Sequence, residues 1–272
     1  MRFKSMNKIK MIFSDIDGTL LTSEHKVTDR TKMKIKELDA LQIPFVLVSA
    51  RMPDAIYVIQ EGLNIEHPIV CYGGGLILDK NREVIKSIGI DEKLQDEVRS
   101  YIELSFDDVC ISSYSYNDWI CDDINNPWII QEADITGVKA KRRDDYYKMN
   151  ERKEVHKILC MGEPSTIKAL EKELKIEYPE LSIYMSKDTY LEIMDRRASK
   201  SNAVKILSDF LKIDIEGTVS FGDNYNDVDM LKATAIGYAM GNAPDEVKKC
   251  ATYVTLDSDN EGVLFGINQL EF

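Results

Sequence analysis

Five short apolar runs constrain this chain most: KMIFSD (10–15), IPFVLVSAR (43–51), PIVCYGGG (68–75), GTVSFGDN (217–224) and AIGYAMGN (235–242). None alternates between apolar and polar residues, and each ends at a polar or glycine-rich junction. Runs of this kind, rich in Val, Ile and Phe, suit strands buried on both faces of a parallel sheet. Helix-like segments fall between them, at 28–41, 53–63, 200–212, 226–233 and 244–250. Thr28 and Asn242 suit helix caps, and Pro53 and Pro244 suit first turns. Strand–helix alternation predicts a doubly wound α/β domain, whose ligands bind at the carboxyl ends of its strands. Asp15, Ser49, Gly73 and Asp223 all fall at such ends.

The stretch from 83 to 190 has a different texture. Helical segments at 91–104 and 164–177 accompany four apparent strands: VCISSYSY, HKILCMG, LSIYMS and YLEIMD. These strands read as half-buried and antiparallel. The expectation is an α+β domain over 83–190, inserted into a discontinuous core of 1–82 and 191–272. The charged segment KAKRRDDYYKMNERKE (139–154) reads as a solvated loop or helix face.

A net charge of −12 over 272 residues argues against nucleic acid as a partner, because such binding rests on neutralising phosphates. A small anionic substrate stays compatible with it where the local site is cationic. Five scattered cysteines without a CxxC pair, and three distant histidines, give no zinc pattern and fit a reducing compartment. The basic start has no long apolar core of a signal peptide, and no apolar run reaches the length of a membrane span. A cytoplasmic protein that does not enter a membrane is expected.

The chemistry concentrates in four motifs. In MIFSDIDGTL, Asp15 and Asp17 would share one side if the strand persists through both. Two like charges so close repel, unless a cation sits between them or one carboxyl keeps its proton. An acidic turn closing an ordinary strand is the plainer reading. The others are VSAR (48–51), RASKSNAV (197–204) and FGDNYNDVDML (221–231). Taken singly, Ser49 could cap the next helix, Lys200 could lie on the surface, and Asp223, Asn224, Asn226 and Asp227 could form a loop that binds nothing. Neither acidic stretch has the ligand alternation of an EF-hand.

In their order and spacing, DIDGTL, the strand-end serine, the lysine before a helix and GDNYND resemble the haloacid-dehalogenase-like superfamily, most closely its Cof-type sugar-phosphatase branch. That resemblance implies a Rossmann-like core with a large inserted cap, and a phosphatase of small phosphorylated metabolites. It implies Asp15 as nucleophile and Asp17 as general acid and base. Mg²⁺ would be held by Asp15, the Asp17 backbone carbonyl and Asp223. Ser49, Lys200 and Asn226 would hold the phosphoryl oxygens. Gly18 suits the turn after the acids, Arg51 is a further phosphate-site candidate, and Asp227 would orient a water or Lys200. In the insert, Tyr114, Tyr116, Asn117 and Trp119 are candidates for reading the leaving group.

Three motifs depart from the usual pattern: SAR for TGR or SGR, SKSNA for SKGxA, and YGGG for NGA. None removes a catalytic side-chain type. Asp17 disfavours a dehalogenase, and the short interval from Gly18 to the second strand leaves no room for an early helical cap. A phosphomutase and a non-catalytic phosphate- or metal-binding module remain as alternatives.

Overall fold

A computed structural model describes residues 8–149 and 154–272. Residues 1–7, which begin the basic start, and residues 150–153 of the charged segment lie outside it. The chain divides into two units, one holding the chain up to Lys86 together with Ser199–Phe272, the other Ser87–Ala198.

In chain order the strands are β1 (Met11–Asp15), β2 (Phe45–Val48), β3 (Ile69–Cys71), β4 (Leu76–Leu78), β5 (Val84–Ser87), β6 (Cys110–Ser115), β7 (Asp118–Cys121), β8 (Lys141–Arg142), β9 (Lys157–Met161), β10 (Leu181–Lys187), β11 (Tyr190–Asp195), β12 (Thr218–Gly222), β13 (Ile236–Ala239) and β14 (Tyr253–Val254). The longer helices are α1 (Asp29–Ala40), α2 (Pro53–Leu63), α3 (Glu92–Ser105), α4 (Pro127–Thr136), α5 (Arg143–Met149), α6 (Pro164–Glu177) and α7 (Lys200–Leu211). Three short ones follow: α8 (Val228–Ala233), α9 (Asp245–Lys248) and α10 (Gly262–Ile267).

The larger unit is a doubly wound α/β domain. Its sheet runs β14-β13-β12-β1-β2-β3-β4-β5. From β14 to β3 all pairings are parallel, and β4 turns antiparallel. β1, β2, β3, β12 and β13 are buried at every residue, as their unbroken apolar runs require. Met11, Phe13, Val46 and Val70 pack against Ala203, Val204 and Leu207 of α7 and Met230 of α8. Apart from Ala203, each such fully buried side chain contributes roughly 1.5–3 kcal/mol. The connections after β1 run to one side of it, and β12 lies on the other. That reversal of strand order is where ligands bind in such sheets.

The helix starts follow simple chemistry. Thr28 accepts from the Thr31 N–H to cap α1, and Ser199 accepts from Asn202 to cap α7. Pro53 opens α2, where its missing N–H costs nothing. Towards the C-terminus the elements are shorter than the sequence pattern suggests. Segment 226–233 is a tight turn (Tyr225–Asp227) followed by α8, and 244–250 shrinks to α9. Pro244 stands at the cap position of α9, so Asn242 does not cap it.

The smaller unit has a sheet of order β10-β11-β9-β6-β7-β8, antiparallel except where two-residue β8 joins β7. Val98 and Ile102 of α3, with Ile167, Leu170 and Leu174 of α6, bury one set of strand residues: Ile111, Ile158, Cys160, Leu191 and Ile193. β7 and α4 were not legible as elements. Asn126 caps α4, Pro127 opens it, and Gly137 ends it at a φ of 70°.

Candidate active site

Side chains from the end of β1, the start of α7 and the turn after β12 meet. Asp15 closes β1, and Lys200 is the first residue of α7, fixed there by the Ser199 cap. The lysine is not on the surface: it is 2% exposed, and its Nζ lies 2.5 Å from both Asp15 Oδ1 and Asp227 Oδ1. The YGGG loop makes this placement possible. Gly74 has a φ of +112°, and a Cβ there would sit 2.3 Å from the Ser199 carbonyl oxygen. Only glycine lets the loop after β3 pack so tightly on the cap that carries Lys200.

Asp227 is fully buried and committed on both oxygens. Oδ1 takes Lys200, while Oδ2 accepts the N–H groups of Asp223 and Asn224, each at 2.9 Å. Burial holds the Asp15 carboxyl well above the usual carboxylate range, against the pull of Lys200 and with the push of Asp227 and Asp223. Burial opposes the charge on Lys200, but Asp15 and Asp227 outweigh it and raise its pKa. Lys200 thus sits between two buried carboxyl groups, and a further cation beside Asp15 would favour its ionised form.

The two motif aspartates do not share a strand face. β1 stops at Asp15, and the chain turns through Asp17 (φ −80°, ψ 121°) and Gly18 (φ 78°). The Asp17 carboxylate, half exposed, forms a two-pronged pair with Arg51: Nε to Oδ2 at 2.9 Å and Nη2 to Oδ1 at 2.5 Å. Asp223 sits just beyond β12. Its Oδ1 accepts from Thr19 Oγ1 at 2.7 Å, and burial, with Asp227 nearby, raises its pKa to about 6. A Cβ on Gly18 would lie 2.5 Å from Asp223 Oδ2, so the turn and this carboxylate touch directly.

Ser49 is buried just past β2, and its Oγ accepts from the Arg51 N–H at 3.2 Å. It does not cap α2, whose cap position is Met52. Asn226 is exposed on the Tyr225–Asp227 turn, outside the Asp15–Lys200–Asp227 cluster. In the smaller unit, Tyr114 and Trp119 are interior residues, stacked with centroids 5.8 Å apart. Tyr116 and Asn117 form the hairpin turn between β6 and β7; Tyr116 takes a φ of 52°, and its N–H donates to His156 Nδ1 at 3.3 Å. Two residues near the site had no site role assigned from the sequence, although Thr19 lies within DIDGTL and Asn242 reads there as a helix cap. Thr19 follows the DIDG turn, and Asn242, whose Nδ2 donates to the Gly18 carbonyl at 2.9 Å, lies in AMGNA.

The haloacid dehalogenase-like hydrolase family model matches residues 12–267. The chain belongs to that family. A Haemophilus influenzae protein with a provisional phosphatase name is 37% identical over 254 residues, covering 93% of this chain and 95% of its own. A haloacid dehalogenase-like hydrolase from Bacteroides thetaiotaomicron matches with a TM-score of 0.86 at 25% identity, over 96% of this chain and 99% of its own. A structure described as a subclass IIB sugar phosphatase of the same superfamily matches with a TM-score of 0.77 at 24% identity, over 96% and 98%. With this family goes use of a divalent cation, and the residues present fit one. Asp15, Asp223 and Asp227 each offer an oxygen within 4.8 Å of the others, all hard ligands of the kind Mg²⁺ takes. Asp227 is the most encumbered of the three, and the Asp17 carboxylate is turned to Arg51. Among the described residues no helix is long and apolar enough to cross a membrane.

Proposed function

We propose that this hydrolase is a Mg²⁺-dependent phosphatase of small phosphorylated metabolites, sugar phosphates or similar monoesters, working in the cytoplasm. Asp15 is the nucleophile: it attacks phosphorus and forms an aspartyl phosphate, which water then hydrolyses. The observation that carries this reading is the Asp15–Lys200–Asp227 arrangement. A buried carboxylate stands at the end of the central strand, with a lysine fixed 2.5 Å away by a second, fully committed carboxylate. Lys200 orients Asp15 and offers its charge to a phosphoryl oxygen, and Ser49 lies at the adjacent strand end to hold another. Asn226 is the remaining donor assigned to phosphate. Donors of this kind contribute about 3–4 kcal/mol each to a transition state.

Asp15, Asp223 and the Asp17 backbone carbonyl would hold the Mg²⁺. Bound there, the ion offsets the repulsion between the Asp15 carboxylate and an anionic ester and favours the ionised nucleophile. Asp17 serves as general acid toward the leaving oxygen, then as base toward water. Its carboxylate is engaged by Arg51 on both oxygens, so Asp17 must leave Arg51 before it can reach a leaving oxygen. Five thiols without disulfides agree with a reducing compartment. The test is phosphate release from p-nitrophenyl phosphate with and without Mg²⁺, repeated with Asp15→Asn. Turnover that needs the ion and vanishes in the variant supports the reading; turnover retained by Asp15→Asn rejects it.

A further inference from the structure

Asn242 joins three loops through one amide. Its Oδ1 accepts the Ser258 N–H at 3.1 Å, and its Nδ2 donates to the Gly18 carbonyl at 2.9 Å, with Asp223 Oδ2 at 3.5 Å. The Ser258 N–H can only donate and the Gly18 oxygen can only accept, so the orientation of the amide is fixed by its partners. The backbone that presents it is pinned as well: Met240 N–H donates to Gly222 and Gly241 N–H to Leu256. On the far side, Asp259 accepts the Ser23 N–H at 2.7 Å. The chain that follows Asp17 is therefore held at two points, Gly18 by Asn242 from the loop after β13 and Ser23 by Asp259 from the segment after β14.

We propose that Asn242 is a positioning residue of the active site, locking the Asp17–Gly18 turn to the Asp223 carboxylate so that both keep one geometry toward a bound divalent ion. The inference rests on the phosphatase reading. Asp223 is held from two sides, by Thr19 on Oδ1 and by the long contact from Asn242 on Oδ2. The Gly18 carbonyl lies in the Gly18–Thr19 peptide, one unit beyond the Asp17 carbonyl, so a shift of this bond is passed through the Gly18 turn to the backbone of the proposed acid. Asn242 is exposed and absent from the core clusters, which leaves little packing for its substitution to disturb. A loop-holding role alone would affect stability and leave ion affinity untouched.

The test measures Mg²⁺ binding to the substrate-free protein by calorimetry, with kcat and KM on p-nitrophenyl phosphate beside it, for wild type, Asn242→Ala and Asn242→Asp. Outer partners of metal ligands typically contribute about 10–100-fold to affinity or activity. Asn242→Ala should lose roughly that much in Mg²⁺ affinity and in kcat, with KM little changed and the metal-free melting temperature down only slightly. Asn242→Asp keeps the shape and the Ser258 bond but turns an acceptor toward Gly18 and Asp223. Its kcat should stay as low as that of the alanine variant. Wild-type Mg²⁺ affinity in Asn242→Ala, or wild-type kcat in Asn242→Asp, would overturn the inference. A wild-type protein that binds no divalent ion would instead overturn the phosphatase reading on which it rests.

Discussion

Lys200→Met puts the electrostatics of the site to a quantitative test. The substitution removes the one cation described between Asp15 and Asp227, which are 8% and 0% exposed, and leaves a side chain of similar length. Breaking a buried pair by deleting one partner costs about 3–5 kcal/mol, because the other charge stays buried. At about 2–4 °C per kcal/mol for a protein of this size, melting in EDTA at pH 8 should fall by roughly 6–20 °C. The deficit should depend on pH. Asp15 is already raised by burial, and losing Lys200 raises it further, so the folded variant holds a proton that the unfolded chain has lost. Stability of the variant relative to wild type therefore recovers as pH falls and worsens as pH rises. Adding Asp227→Asn removes one of the two repelling charges and should recover at least about 1 kcal/mol against the sum of the single changes. Thermal melts of the four proteins at pH 5 and pH 8 read both effects. Equal deficits at the two pH values, together with strict additivity, would refute the reasoning. Turnover by Lys200→Met should fall by roughly 10²–10³-fold.

Asp17→Asn should slow the first step on an alkyl phosphate far more than on an activated ester with a good leaving group; equal burst-phase losses on both would contradict the acid role. Gly18→Ala puts a methyl 2.5 Å from Asp223 Oδ2 at a φ of +78°, a conformation that costs a non-glycine residue about 1–2 kcal/mol. It should weaken Mg²⁺ affinity at least tenfold with every candidate side chain retained, and unchanged calorimetry would reject that geometry. The pKa of about 6 at Asp223 sets a pH window. Because this folded value lies above the unfolded one, Asp223 lends the metal-free fold stability below it that is lost as pH rises through about 6. Mg²⁺ must displace that proton, so the rise in melting temperature on adding Mg²⁺ should be large at pH 7.5 and small at pH 5. A Mg²⁺ effect independent of pH would count against Asp223 as a ligand.

Much of the core was legible because its strands are buried on both faces, and such strands spell themselves out as unbroken apolar runs. The strand-end positions of Asp15 and Asp223 followed from the same runs. The Asp15–Asp17 relation did not, because the strand stops at Asp15 and the positive φ of Gly18 turns the chain before a second carboxylate can share its face. Lys200 reads as a surface residue on composition alone. Its burial depends on Ser199 and Gly74, which are 125 residues apart and meet only in the fold. Asn242 looked like a helix cap beside Pro244, a local pattern that its contacts with Gly18 and Ser258 override. Tyr114 and Trp119 looked like binding aromatics, but cross-strand pairing stacks them inside the smaller unit. β7 and α4 escaped notice because Asp118–Cys121 is short and α4 follows two aspartates and two asparagines that read as a loop.

The central claim is that phosphorus becomes bonded to Asp15. A rapid-quench reaction of Mg²⁺-loaded protein with a ³²P-labelled phosphomonoester, followed by borohydride reduction and peptide mass spectrometry, reads this directly. The account predicts transient acid-stable label on the protein and homoserine in place of aspartate at position 15 alone. Full turnover with no label on the protein at any quench time, or reduction at Asp17, Asp223 or Asp227 instead, would contradict it.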